Sequence, residues 1–222
     1  MDELRRGATV QLPHGVLAMT AIGAAPTLTA AHTDEHRLAA GYSEVRRGQF
    51  LAGRWCLRRA AAEVLPAERA LPPLLVDHRG APMLPAGLTG SVSHKDSHAV
   101  GMVAPLAVDG WRVGIDLERA APPRGDVASR ILTDTELTAL SGLAPFERGR
   151  AVTLRFSIKE AIYKALDPMV QRYIGFREVA LQWQDQQVRV APLHLDGTWF
   201  TVEVWWTEFD GFWLSTARAR RG

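Results

Sequence analysis

Two long helix-forming segments, each accompanied by strand-like runs, divide this 222-residue chain into halves of similar content. The first segment is predicted to be helical from about Thr33 to Leu65, with a break near one of its glycines. The second is predicted over 146–166 and is expected to end at Asp167-Pro168, because a residue before proline disfavours helical backbone. Each half therefore needs a partner layer that covers the apolar face of its helix.

Short runs that favour strands supply that layer. Apolar residues concentrate in them or alternate with polar ones. The predicted strands cover 16–22, 98–104, 111–118, 174–183, 187–193, 198–206 and 212–218, and a short helix covers 132–140. We therefore predict an α+β fold of two similar, pseudo-twofold subdomains, residues 1–110 and 111–222. Each has an antiparallel sheet packed on helices, and the active site lies in the cleft between them.

The composition excludes several classes of protein. No apolar run approaches the roughly 18 residues of a membrane span, and the charged N-terminal segment lacks the apolar stretch of a signal peptide. Cys56 is the only cysteine, which excludes an internal disulfide and a cysteine-based zinc site and leads us to expect a cytoplasmic location. The net charge of +2 suits a polyanionic ligand but is too small to indicate nucleic acid binding.

Lysine is rare in this chain, and its positions are informative. Only three of the 26 basic residues are lysines, and two of them flank Glu160 in "RFSIKEAIYKAL" (155–166). On a helix Glu160 and Lys164 are neighbours, whereas Lys159 is turned about 100° away. An ordinary surface pair of this spacing gives no reason to prefer lysine over arginine. A compact ammonium beside a carboxylate instead indicates a metal-bound phosphate site.

A second acidic motif lies on the predicted strand "WRVGIDLE" (111–118). Asp116 and Glu118 share one face of that strand with Gly114, about 6–7 Å apart along the strand. Two carboxylates placed in this way repel each other unless a cation such as Mg²⁺ neutralises them. The glycine is expected to leave room for a bulky ligand. The alternative is an edge strand with a solvated acidic face.

The third lysine, Lys95, lies in "GLTGSVSHKDSHAV" (87–100). Ser91, Ser93 and His94 follow a glycine-rich turn there, and hydroxyl, backbone N–H and imidazole groups together can bind phosphate. A hydrogen-bonded loop histidine is the alternative for His94. A two-histidine metal site with His98 is disfavoured because this stretch lacks helical character.

These motifs together resemble one family. In their order, "GRWCLRRA" (53–60), "APMLPAGLTGSVSH" (81–94), "GIDLE" (114–118) and "FSIKEAIYK" (156–164) are similar to the 4′-phosphopantetheinyl transferases of the larger surfactin and enterobactin synthesis class. The resemblance covers roughly residues 40–180. It implies Mg²⁺-dependent transfer of 4′-phosphopantetheine from coenzyme A to a serine of an apo acyl or peptidyl carrier protein, with release of 3′,5′-ADP.

The resemblance also implies a metal and catalytic set. Asp116, Glu118 and Glu160 would hold Mg²⁺, with Mn²⁺ as a possible substitute. Lys164 and Glu160 would act in catalysis, and Glu136 occupies the position of a general base proposed for some members. The coenzyme A contacts that it implies are Arg46, Arg54, Arg79, Ser93, His94, Lys159 and Lys164.

The implied partners are carrier proteins of polyketide or nonribosomal peptide synthesis, which belong to secondary metabolism, and the class tends to be monomeric. We expect the carrier to dock on 168–176, a segment that mixes apolar residues with Arg172. The alternative is that these apolar residues pack beneath the end of the helix. Two other functional interpretations are based on the same residues. One is a Mg²⁺-dependent phosphodiesterase or nuclease, and the other is a non-catalytic module that binds coenzyme A or the carrier.

Overall fold

The computed structural model describes residues 8–24, 31–67, 69–184 and 187–222. The N-terminal half contains helices α1 and α2 and a four-stranded antiparallel sheet of order β1-β2-β4-β3. These elements are β1 (Val10–Leu12), β2 (Gly15–Ala21), α1 (Thr33–Ala39), α2 (Glu44–Ala62), β3 (Leu88–Lys95) and β4 (His98–Pro105). The predicted break in the first helix is confirmed, because the chain turns after α1 and Ser43 caps α2.

The C-terminal half repeats this design with a sheet of order β5-β10-β9-β8, again antiparallel. A separate two-stranded hairpin, β6–β7, lies outside that sheet. The elements are β5 (Arg112–Arg119), α3 (Ala128–Ile131), α4 (Asp134–Ala139), α5 (Pro145–Val170), β6 (Leu181–Gln184), β7 (Gln187–Val190), β8 (Leu193–Leu195), β9 (Thr198–Phe209) and β10 (Phe212–Arg221). The predicted α+β fold of two similar halves is confirmed, while the boundary at residues 110 and 111 stays a prediction.

The long helix α5 packs on β5 and β10 through one apolar stripe. Leu154, Ile158, Ile162 and Ala165 are buried there against Trp213 and the neighbouring core residues. Gly114 of β5 faces the same helix. A Cβ at this glycine would lie 2.0 Å from the carbonyl oxygen of Ala161. The expectation that Gly114 leaves room for a ligand is therefore wrong, because the helix backbone fills that space.

Side-chain hydroxyls join the two sheets where β3 runs beside β5. Three hydroxyls of β3 accept hydrogen bonds from backbone N–H groups of β5 at 3.2, 3.2 and 3.4 Å: Thr89 from Val113, Ser91 from Ile115 and Ser93 from Leu117. The sequence did not predict β3 as a strand. Its buried face is made of hydroxyl residues rather than apolar ones, so the usual hydrophobic alternation is absent.

Two predicted boundaries are wrong. Helix α5 continues through Pro168 to Val170 and ends at Gln171, which adopts a left-handed conformation with φ 55°. Pro168 cannot donate a backbone hydrogen bond to the preceding turn, but only Met169 and Val170 follow it in the helix, so little helix is weakened. Its neighbour Asp167 is anchored by the side chain of Arg79. In the predicted strand 174–183, residues Phe176–Glu178 form a 3₁₀ turn and extended pairing begins only at β6.

No described helix is long and apolar enough to cross a membrane.

His14 lies buried between the halves, and we predict that it makes stability depend on pH. Its Nδ1 lies 2.8 Å from Thr216 Oγ1. Burial, followed by the charge of Arg218, lowers the pKa of His14 to about 4. An unfolded histidine titrates near 6.5, so below that pH the unfolded chain takes up a proton that the folded chain does not. The contribution of His14 to the free energy of unfolding should therefore be complete above about pH 6.5. It should be lost as the pH drops from about 6.5 to about 4.

The measurement is urea denaturation at about pH 7 and about pH 5. The contribution of His14 to the loss of unfolding free energy should be about 2 kcal/mol, at about 1.4 kcal/mol per pKa unit. His14→Gln cannot titrate and should lose that much less than the wild type between the two pH values. Equal losses in the two proteins would contradict the role of His14.

Candidate active site

The centre of the site is Asp116, where β5 passes beneath α5. Only 4% of this residue is exposed. Its Oδ1 accepts hydrogen bonds from Lys164 Nζ at 2.8 Å and from Ser93 Oγ at 2.9 Å. Its Oδ2 is buried and has no hydrogen-bond partner. An unpaired buried carboxylate oxygen is costly in a folded protein, so it indicates a position where a ligand or cation binds.

Lys164 connects the helix to both sheets. Besides Asp116, its Nζ donates to the carbonyl oxygen of Ile115 at 3.0 Å and to Ser93 Oγ at 3.2 Å. The three acceptors come from β5 and β3, so a single ammonium group bridges the two halves of the molecule. This explains why a lysine stands here, since three convergent acceptors suit a compact cation with three donors.

The other two carboxylates of the predicted metal set lie in the same electrostatic environment. Burial raises the pKa of Glu118, and the charge of Asp116 raises it further, while Lys95 opposes this with an ion pair of 2.5 Å. Burial likewise raises the pKa of Glu160, and the charges of Asp116 and Glu118 add to that effect against Lys164. The three carboxylates are therefore close enough to repel one another.

The fit of these residues to a metal ion rests on their chemistry. Among the described residues, no group of three or more His, Cys, Asp or Glu side chains converges closely enough to hold an ion as they stand. Lysines instead neutralise two of the carboxylates, Lys164 at Asp116 and Lys95 at Glu118. The oxygen donors, their mutual repulsion and the unpaired Oδ2 of Asp116 fit a hard divalent cation such as Mg²⁺.

Beside the carboxylates the structure forms a cationic cluster. Arg46 of α2 places Nη1 2.8 Å from Nε2 of His94 at the end of β3. Burial, then the charges of Arg46 and Lys164, lowers the pKa of His94. The imidazole is therefore disposed to stay neutral beside two cations, an arrangement that suits a phosphate group. Arg79 lines a cavity of about 330 Å³ together with Lys164, although its guanidinium is bonded to Asp167.

Three of the predicted site residues lie elsewhere. Arg54 is 3% exposed and donates to the carbonyl oxygens of Leu74 and Leu75 inside the N-terminal half. Burial lowers its pKa to about 10. Lys159 and Glu136 form a buried ion pair of 2.7 Å on a different face of α5.

The contacts of this ion pair leave neither residue free for a ligand. Lys159 Nζ also donates to the carbonyl oxygens of Ile131 at 2.8 Å and Phe176 at 3.1 Å, so its three donors are satisfied. Glu136 accepts the backbone N–H of Thr133 at 2.8 Å and of Leu181 at 3.3 Å. The pair thus ties helices α3, α4 and α5 and the start of β6 together.

The sequence places Lys95 in a motif segment but does not identify its partner. The structure pairs it with Glu118, one of the predicted metal ligands. The sequence does indicate that Lys95 belongs to the candidate site, because all three lysines of the chain fall in motif segments. Its partner could not be read from the sequence, since Lys95 and Glu118 belong to strands of different sheets.

Comparisons with known proteins relate both halves of the chain to one family. The family model described as the 4′-phosphopantetheinyl transferase superfamily matches residues 112–216, and the model of the 4′-phosphopantetheinyl transferase N-terminal domain matches residues 34–104. The 4′-phosphopantetheinyl transferase Npt of Nocardia iowensis is 33% identical over 159 residues, which are 69% of this chain and 67% of that protein. Enterobactin synthase component D of Salmonella typhi is 34% identical over 128 residues, 56% of this chain and 50% of that protein.

The chain thus spans half to two thirds of the length of these relatives. Among solved structures, the holo-[acyl-carrier-protein] synthase of Thermotoga maritima is 24% identical, with a TM-score of 0.41, and the match covers 50% of this chain and 63% of that one. The two family models account for most of both halves, and the predicted family and enzyme class are confirmed. The chain belongs to the 4′-phosphopantetheinyl transferase family.

Proposed function

We propose that this chain transfers the 4′-phosphopantetheine arm of coenzyme A to a serine of an apo acyl or peptidyl carrier protein. The serine oxygen attacks the β-phosphorus, the bond from that phosphorus to the bridging oxygen breaks, and 3′,5′-ADP leaves. The observation that carries the proposal is the Asp116–Lys164–Ser93 cluster with its unpaired carboxylate oxygen, which lies in the same site as the Arg46–His94 pair. This arrangement supports acidic metal ligands and phosphate ligands side by side.

Asp116, Glu118 and Glu160 would hold a Mg²⁺ or Mn²⁺ ion, which neutralises charge on the pyrophosphate when bound. The chain itself supplies the rest. Lys164 stabilises charge on the departing phosphate oxygens, and Arg46 with His94 holds a phosphate of the nucleotide. Glu160 accepts the serine proton, since Glu136, the other carboxylate of the predicted catalytic set, is buried in its pair with Lys159.

Arg54, Lys159 and Glu136 are left out of this machinery, since their polar groups are engaged within the fold. Arg79 stays in the proposal as a phosphate contact because it shares a cavity with Lys164. In the predicted docking segment Tyr173 is 68% exposed, whereas Met169 and Val170 pack against the C-terminal core. We therefore restrict the proposed carrier contact to the neighbourhood of Tyr173. The cytoplasmic location, the monomeric state and the role in secondary metabolism stay predictions.

The test is intact-mass spectrometry of apo carrier proteins from polyketide and nonribosomal peptide synthesis, incubated with this chain, coenzyme A and Mg²⁺. The carrier should gain the mass of one phosphopantetheine arm. The gain should disappear with EDTA and with a carrier whose acceptor serine is replaced by alanine. If coenzyme A binds but no carrier gains mass, the non-catalytic module is favoured. If coenzyme A does not bind and a phosphodiester is cleaved, the phosphodiesterase reading replaces the proposal.

A further inference from the structure

A second concave site lies on the outer side of the C-terminal half. It is a groove of about 930 Å³ between the first half of α5, the β6–β7 hairpin and β9. The side chains of Trp183 and Trp206 lie on the α5 side of this groove, whereas the neighbouring Trp205 turns its side chain to the opposite face of the sheet. The groove shares no lining residue with the carboxylate and phosphate groups of the candidate active site. Aromatic walls of this kind favour a flat apolar ligand.

Arg155 gives the groove its polar specificity. Only 7% of this residue is exposed, and its guanidinium carbon lies 4.0 Å from the centre of the Trp183 ring. Nη1 donates to the carbonyl oxygen of Ala151 at 3.2 Å. Nε is buried without an acceptor, and none is found for Nη2 in the described part of the chain. The Nε–Nη2 edge of a guanidinium is one that binds a carboxylate through two parallel hydrogen bonds.

The charges around the groove favour an anion. Arg189 of β7 lines it as a second cation. Glu208 also lines it, but this carboxylate is paired with Arg150 at 2.7 Å. Burial lowers the pKa of Arg155. The charge of Glu136 opposes this effect, but Glu136 is already paired with Lys159. A ligand carboxylate would thus satisfy a desolvated cation that the fold leaves underpaired.

We propose that this groove binds an aromatic monocarboxylic acid. Its carboxylate receives hydrogen bonds from Nε and Nη2 of Arg155, and its ring packs against the tryptophans. This site is separate from the proposed coenzyme A site and does not depend on the proposed transferase activity. Two parallel hydrogen bonds from Arg155 in a partly desolvated groove should make the groove prefer a planar carboxylate over a neutral ring of the same shape.

The experiment uses 2-naphthoate as the probe and 2-naphthamide as its uncharged counterpart of the same shape. Calorimetry gives the dissociation constants, and the indole N–H resonances of ¹⁵N-labelled protein report the place of binding. Naphthoate should shift the resonances of Trp183 or Trp206, assigned by Trp→Phe variants. It should bind at least about tenfold more tightly than naphthamide. Arg155→Gln should lose that preference. Arg148→Gln should keep it, because Arg148 is an exposed arginine of the same helix that does not line the groove.

Three results would overturn the proposal. The first is equal binding of naphthoate and naphthamide. This comparison uses the wild-type protein, so it remains decisive even if Arg155→Gln fails to fold. Folded Arg155→Gln could retain the preference for naphthoate. Saturating coenzyme A could displace naphthoate, which would make the groove part of the nucleotide site. The proposed function can fail without affecting any of these outcomes.

Discussion

Asp116→Asn should lower turnover by at least about a thousandfold while leaving the fold intact. Asparagine keeps the shape of the side chain and an oxygen that can accept from Ser93 and Lys164. It removes the negative charge and turns the second oxygen, buried without a partner, into an amide that cannot bind a cation. A metal-assisted phosphoryl transfer depends on that charge, so a large loss of turnover is expected.

Turnover of a carrier protein and binding of Mn²⁺, followed by electron paramagnetic resonance, should fall together in this variant. Asp109→Asn is the matched control, because Asp109 is an exposed aspartate before the strand that carries Asp116. The control should behave as the wild type in both measurements. If Asp116→Asn keeps near wild-type turnover, the metal set has been assigned to the wrong residues. If it loses turnover but binds Mn²⁺ normally, Asp116 serves only to orient Lys164.

The features of the candidate site that follow from the sequence depend on local geometry. Alternation along β5 places Asp116 and Glu118 on one face, and a spacing of four on α5 places Glu160 beside Lys164. Each rule applies within a single strand or helix. The packing of α5 on β5 then brings the two sets of residues together. The strand and the helix themselves were recognised from their apolar periodicity.

The missing parts depend on contacts between elements that are distant in sequence. Lys159 and Lys164 belong to one motif and carry the same charge, yet they lie on faces of α5 that meet different neighbours. Lys164 meets the acceptors of β5 and β3, whereas Lys159 meets Glu136 and two carbonyl groups. Gly114 could not be interpreted either, because the space beside it is filled by a helix almost 50 residues further along the chain. Motif similarity identifies a residue, but only packing decides whether its polar group remains free.

The buried Lys159–Glu136 pair offers a test of that distinction. Lys159→Met should destabilise the fold by about 3–5 kcal/mol, because it leaves the carboxylate of Glu136 buried without its counter-charge. The double variant Lys159→Met with Glu136→Gln should recover much of this loss, since both charges are then removed and the amide can still accept from Thr133. Urea denaturation of the two single variants and the double variant gives the coupling energy.

The same variants separate this structural role from the coenzyme A contact that the family resemblance implies for Lys159. With a structural role, the fraction of Lys159→Met that is folded should bind coenzyme A within about twofold of the wild type, because Lys159 has no donor left for a phosphate. A direct phosphate contact would instead weaken binding by about tenfold or more, in addition to the loss of unfolding free energy. That second pattern would mean that the pair opens when coenzyme A binds, and the closed pair would then be a resting state. The loss of unfolding free energy is expected for both roles, so the affinity of the folded variant for coenzyme A decides between them.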